Sequence, residues 1–245
     1  MRTYKLTIAY DGSRYQGWQR QANTERTIQG ILERAVSEAA GYSVEIDGSG
    51  RTDAGVHAEG QAASVVMSGL VREDFFTGEI NRRLPGDIRI MDACLMRNGF
   101  HARKDACGKV YEYRIDTGER PDVFGRRYCY HFPHTLDMEA MRKAAGILIG
   151  THEFAAYTDK RDEKSTKRTI YDIMFSGQGS SVVIRYQGSG FMYHMVRILT
   201  GTLLEAGLHR RTAESVGEVL RSKDRGQAGF LAPARGLFLK EVYYD

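Results

Sequence analysis

From Tyr4 to Tyr10 apolar and polar positions alternate, with Tyr4, Leu6, Ile8 and Tyr10 on one face. A period of two marks a half-buried strand. The period then changes: Ile28, Ile31, Leu32, Ala35, Val36 and Ala39 recur at helical spacing, with Thr27 placed as N-cap and Gly41 just past the end. Strand-like runs follow at 43–47, 61–67, 88–95 and 109–116, interrupted by a helical pattern over 71–84. The second half has a helix over 137–149, strands over 169–175 and 181–186, a long apolar helix over 191–206, a shorter one over 213–220 and a closing strand over 237–244. Strands with hairpin-like neighbours, spaced by helices, predict an α+β fold of mainly antiparallel sheet. The similar element order of the two halves predicts two similar lobes, residues 1–105 and 106–245, with helices on the outer faces and an active-site cleft between them.

At 245 residues the chain should bury roughly 70–75% of the surface its unfolded form exposes, so it needs no disulfide or metal to fold. Cys94, Cys107 and Cys129 form no CxxC pair and are expected to be ordinary thiols. The N-terminus runs straight into a strand pattern without an apolar signal region, and no apolar run approaches the ~20 residues of a membrane span. The expectation is a cytoplasmic globular protein with no membrane partner. Thirty-five Lys and Arg against thirty-one Asp and Glu leave a net charge of +4, which is compatible with nucleic acid without demanding it. Basic residues bunch at 82–83, 97–109, 126–127, 160–168 and 210–211. One bunch alone reads as a solvated loop; five along the chain favour a basic groove.

Three segments depart from plain core-and-surface patterning. In Gly48-Ser-Gly50-Arg51-Thr52-Asp53-Ala-Gly55-Val-His57, three glycines around an Arg-Thr-Asp core allow close backbone approach. The third glycine of a dinucleotide fingerprint falls on Asp53, and no Gly-Lys-Ser/Thr follows as in a P-loop. Asp53 is therefore either a turn cap or a functional carboxylate, with Arg51 beside it to orient it or bind a phosphate. Tyr111 and Tyr113 share one face of the strand over 109–116. They either pack the sheet or offer a ring on which an unpaired base can stack. Arg197 interrupts the apolar helix over 191–206. It either snorkels at the rim of the core or needs a carboxylate partner, for which Asp53 is the candidate. His57, His101 and His194 have no Ser or Cys nucleophile nearby in sequence. Pro133 breaks the spacing of His131 and His134, so no metal site is predicted.

Six stretches in order carry a resemblance: Tyr10-Asp-Gly-Ser-Arg-Tyr-Gln-Gly-Trp-Gln-Arg-Gln, Gly50-Arg-Thr-Asp-Ala-Gly-Val-His-Ala, Asn81-Arg-Arg-Leu-Pro-Gly-Asp-Ile, Phe100-His-Ala-Arg, Lys109-Val-Tyr-Glu-Tyr-Arg and Gly190-Phe-Met-Tyr-His-Met-Val-Arg-Ile. With them the chain resembles the TruA-type tRNA pseudouridine synthases from about residue 3 to 243. The resemblance implies a homodimeric isomerase without cofactor or essential metal. Its partner would be tRNA, and it would act on uridines 38, 39 and 40 of the anticodon arm with no protein partner required. It implies Asp53 as the catalytic carboxylate, either a nucleophile at C1′ or a base at C2′. It also implies Tyr111 packed on the target base, Arg197 ion-paired with Asp53, and Arg51 in contact with the flipped nucleotide or its phosphates. The departures are Gln61-Ala-Ala-Ser-Val, Lys104 and His194, which touch local packing and RNA contact. The rival readings are a non-catalytic RNA-binding protein, a nucleotide-binding enzyme using the 48–55 loop, and a pseudouridine synthase acting on other RNAs.

Overall fold

The computed structural model of the chain describes residues 1–72, 74–160 and 165–245. Its elements, in chain order, are β1 (Arg2–Tyr10), α1 (Ile28–Ala40), β2 (Ile46–Gly48), β3 (His57–Met67), a short π-helical stretch (Phe75–Ile80) and β4 (Ile88–Met96). Then come β5 (Ala106–Asp116), β6 (Tyr130–His131), α2 (Met138–Leu148), β7 (Gly150–Glu153), β8 (Lys167–Gln178), β9 (Ser181–Gly188), α3 (Met195–Gly207), α4 (Ala213–Ser222) and β10 (Leu237–Tyr244). They pack as two compact units, one of residues 1–107 with 238–245, the other of residues 108–237. The fold is mixed α+β with mainly antiparallel sheet, as the alternation predicts. The lobe boundary drawn from sequence leaves the closing strand with the second half. It belongs to the first unit instead, because β10 pairs parallel with β3, Phe238 opposite His57 and Leu239 opposite Ala58.

In the first unit β1 lies between β3 and β4 and is antiparallel to both, with Tyr4 opposite Val65 on one side and Leu95 on the other. β2 also pairs antiparallel with β3, Ile46 opposite Val65. The alternating set Tyr4, Leu6, Ile8 and Tyr10 is buried. The helix α1 buries Ile28, Leu32, Ala35 and Val36. Thr27 Oγ1 accepts the Gly30 N–H at 3.3 Å, and Gly41 closes the helix at φ 76°. Both caps are the ones the sequence predicts.

The pattern over 71–84 does not make a full helix. Asp74 gives no side-chain cap, and Gly78 disfavours continuation. Asn81 instead donates to Thr77 O and Ile90 O and accepts from the Ile90 N–H, tying the chain to β4. Residue 73 of that stretch, and residues 161–164 of the basic bunch at 160–168, lie outside the described residues. The strand expected over 43–47 is only β2, because the Val44 N–H donates to Ser37 Oγ at the end of α1 rather than to the sheet.

In the second unit β5, β9, β8 and β7 run antiparallel in that order, and β6 adds parallel to the end of β5. Tyr111 stands opposite Tyr186. The helix α3 is buried along most of its length. It begins at Met195 rather than 191, because His194 adopts a left-handed φ of 64° that breaks the helix before it. The two-residue β6 and four-residue β7 carry no sequence signal long enough to read. Among the described residues no helix is long and apolar enough to cross a membrane.

Candidate active site

The residues singled out in the sequence divide between the units: Arg51 and Asp53 in the first, Tyr111 and Arg197 in the second. Arg51 is exposed and Asp53 half-buried on the loop between β2 and β3. That loop is fastened from several sides. The Ser49 N–H donates to Ala62 O at 2.7 Å. The Ser49 hydroxyl donates to Gln61 Oε1 at 2.7 Å, and Gln61 Nε2 donates to Gly50 O at 3.0 Å. Gln61 is fully buried within β3, so its amide is a fixed clamp. On the other side of Asp53, the Val56 N–H closes a turn onto Asp53 O at 3.1 Å.

A second segment holds the same loop. Thr52 O accepts the Trp18 N–H at 3.0 Å, and the Thr52 hydroxyl is 2.8 Å from Tyr10 Oη. Burial pushes the Tyr10 phenol far up, so it stays protonated and keeps that bond. Two glycines make this closeness possible. A Cβ on Gly12 would lie 2.0 Å from Val56 O, and one on Gly48 would lie 2.4 Å from Trp18 Nε1. The two motifs, 10–21 and 50–58, are therefore parts of one packed unit. Gln29, a buried α1 residue, accepts from Gln19 Nε2 and the Arg20 N–H and donates to Ile46 O. It joins the Trp18 segment to β2 just before the loop.

His57 stands at the loop's end but is no general base. It is 1% exposed, stacks on Phe238 with ring centroids 4.6 Å apart, and accepts the Gly12 N–H on Nδ1 at 3.1 Å. His194 lies 2.6 Å from Asp159, whose other oxygen accepts from Arg225 Nε at 2.7 Å. Burial opposes ionisation of Asp159, but these two partners hold its carboxyl below the ordinary carboxylate value. No group of three or more His, Cys, Asp or Glu among the described residues is arranged to hold a metal.

In the second unit Tyr111 is 8% exposed, and Phe191 meets its ring edge-on with centroids 5.3 Å apart. Phe191 lies before α3, which starts at Met195 just after the left-handed His194. Arg197 is half-buried on α3 and donates from Nε to Ala232 O at 2.7 Å, while the Ala232 N–H returns to Arg197 O at 3.3 Å. The neighbouring Tyr113 hydroxyl donates to Pro233 O at 2.6 Å. Burial raises the Tyr113 phenol well above its ordinary range, and the Arg197 charge only partly offsets that. The loop over 228–236 thus positions the guanidinium, a role its glycine- and proline-containing sequence does not announce. It lies against α3 because Gly201 and Gly229 lack side chains: a Cβ on Gly201 would fall 1.9 Å from Phe230 O.

A family model described as tRNA pseudouridine synthase matches residues 6–103 and 144–245. Curated relatives align over the whole chain and the whole of their own length. A tRNA pseudouridine synthase A of Acetivibrio thermocellus is 41% identical, one of Bacillus sp. (strain KSM-64) is 44% identical, and one of Clostridium kluyveri is 42% identical.

Proposed function

The chain belongs to the tRNA pseudouridine synthase family and isomerises uridine to pseudouridine in tRNA, and we propose that it does so at positions 38, 39 and 40 of the anticodon arm, with Asp53 as the essential carboxylate. What carries this reading is the full-length likeness to enzymes of that name, together with a backbone-fastened loop presenting Arg51 and Asp53.

The reaction breaks N1–C1′, turns the uracil, and joins C5 to C1′, with the C5 hydrogen leaving as a proton. Asp53 as a carboxylate either attacks C1′ or removes a proton from C2′; both need it ionised and held still. Arg197 is proposed as its ion-pair partner. At ~4 Å and an effective dielectric of 20, such a pair favours the ionised carboxylate by about 4 kcal/mol before desolvation. The target base must leave its stack at a cost of a few kcal/mol, and Tyr111 is proposed to pack on it. Arg51, exposed two positions from Asp53, would contact the flipped nucleotide or its phosphates. The isomerisation itself is internally redox-neutral and calls for no cofactor. We place the enzyme in the cytoplasm, as a homodimer that needs no other protein.

Position is tested with tRNA transcripts carrying uridine at only one of 38, 39 or 40, and pseudouridine is mapped by carbodiimide-dependent reverse-transcription stops. Stops at these positions and at no other uridine support the assignment. Stops confined to uridines elsewhere, or in unrelated RNAs only, overturn it.

A further inference from the structure

Beside the Asp53 loop, and within the first unit alone, lies a cleft of about 480 Å³ whose walls include Trp18, Asp47, Arg51, His101, Arg103 and Lys104. Gly50 and Arg51 line it too, so it shares its wall with the loop that carries Asp53. The turn supplying its cations is rigid. The Ala102 N–H donates to Ser64 Oγ at 3.1 Å and Ala102 O accepts from Tyr244 Oη at 2.7 Å, so the middle of the turn is fixed to β3 and β10. His101 and Arg103 flank that anchor. The Arg103 N–H donates to His101 Nδ1 at 3.2 Å, which ties the two flanking residues together.

Arg51, Arg103 and Lys104 are exposed, and among the described residues none of the three forms an ion pair. By contrast, Arg97, on the same turn, pairs with Asp105 at 3.1 Å. Asp47 is the acidic residue on the cleft wall, and it is exposed. Trp18 is 1% exposed and His101 half-buried, so what the cleft presents most openly is cations and donors. That chemistry fits a phosphodiester.

We infer that this cleft binds a backbone phosphate of the RNA strand next to the reacting nucleotide, held by Arg103 and Lys104 with Arg51. The inference rests on the tRNA reading above and deepens it: the cleft fixes the strand's register while the Asp53 loop acts on the base. Such contacts carry no base identity but position the strand, and each adds to the salt dependence of binding.

The test is filter binding of a synthetic anticodon-arm RNA across a salt series, for wild type, Arg103→Gln, Lys104→Gln and Lys104→Arg. Each Gln variant is expected to bind roughly three- to tenfold more weakly at low salt, with the slope of log K against log salt shallower by about 0.7–0.9. Lys104→Arg is expected to keep the wild-type slope. Gln variants with unchanged slope and affinity overturn the inference. So does a thermal shift by free uridine monophosphate that Lys104→Gln abolishes while the RNA slope stays the same, which would make the cleft a mononucleotide site. Tritium release from C5-labelled tRNA by the wild type is measured alongside. Its absence would overturn the tRNA reading, whereas release with unchanged slopes would overturn only the cleft.

Discussion

Replacing Gln61 by Ala removes the clamp that holds the Asp53 loop from below. The Ser49 hydroxyl, fully buried, loses the acceptor it reaches at 2.7 Å, and the partly buried Gly50 carbonyl loses its donor at 3.0 Å. The Ser49 hydroxyl keeps its hydrogen bond with the Tyr244 side chain, so losing Gln61 removes one of its partners at about 1 kcal/mol, and the Gly50 carbonyl that water can partly reach adds about 1 kcal/mol. The sum is about 2 kcal/mol, which at a urea slope of about 2 kcal/mol/M lowers the midpoint by about 1 M. The chain has a single tryptophan, Trp18, buried in the same unit and packed on Gly48, so its fluorescence follows the unfolding of this unit. In native buffer, where the variant stays folded, kcat is expected to fall roughly 10- to 100-fold, because displacing a reacting group by ~1 Å has an effect of that order. Gln61→Glu keeps the acceptor for Ser49 but sets an oxygen against Gly50 O, and should fall in between. A midpoint within about 0.3 M of wild type, the size of a neutral surface change, with unaltered kcat would refute the reasoning.

Gly48→Ala puts a Cβ 2.4 Å from Trp18 Nε1, so it should cost about 1–3 kcal/mol and shift the Trp18 emission, both read in the same urea titration. Tyr113→Phe leaves Pro233 O without the hydroxyl that donates at 2.6 Å. It should destabilise by about 1–3 kcal/mol and loosen the 228–236 backbone, seen as faster amide exchange there. Asp159 has a carboxyl held below its ordinary value of 3.8, so its contribution is present above that pH and is lost as pH falls through the lower folded value. The stability gap between wild type and Asp159→Asn should therefore shrink as pH falls through 3.8 and below; a gap that stays constant through that fall would contradict the pairing.

Local periodicity reads β1 and α1 well because each carries its own evidence: alternation in one, and Thr27 with Gly41 in the other. It fails over 71–84, where Asn81 binds β4 instead of extending a helix, and at 191–194, where the apolar run continues but the backbone turns left-handed. Tertiary contacts decide both, and neither leaves a local mark. The candidate site is legible as residue types and not as arrangement. Three glycines around Asp53 announce a close approach, yet the partner that needs it, the segment around Gly12 and Trp18, lies far back in the chain. Gln61 is visible in sequence as a polar residue in an apolar strand, and only the fold reveals that both ends of its amide hold the loop. Lys104 reads as one charge in a basic bunch until the 100–105 turn sets it beside Arg51.

Whether Asp53 carries the isomerisation is read from tRNA labelled with tritium on C5 of uridine, because joining C1′ to C5 must expel that hydrogen. Wild type is predicted to release tritium to water. Asp53→Asn is predicted to bind the same tRNA with wild-type affinity and release none. Release by Asp53→Asn at a rate near wild type would contradict the account.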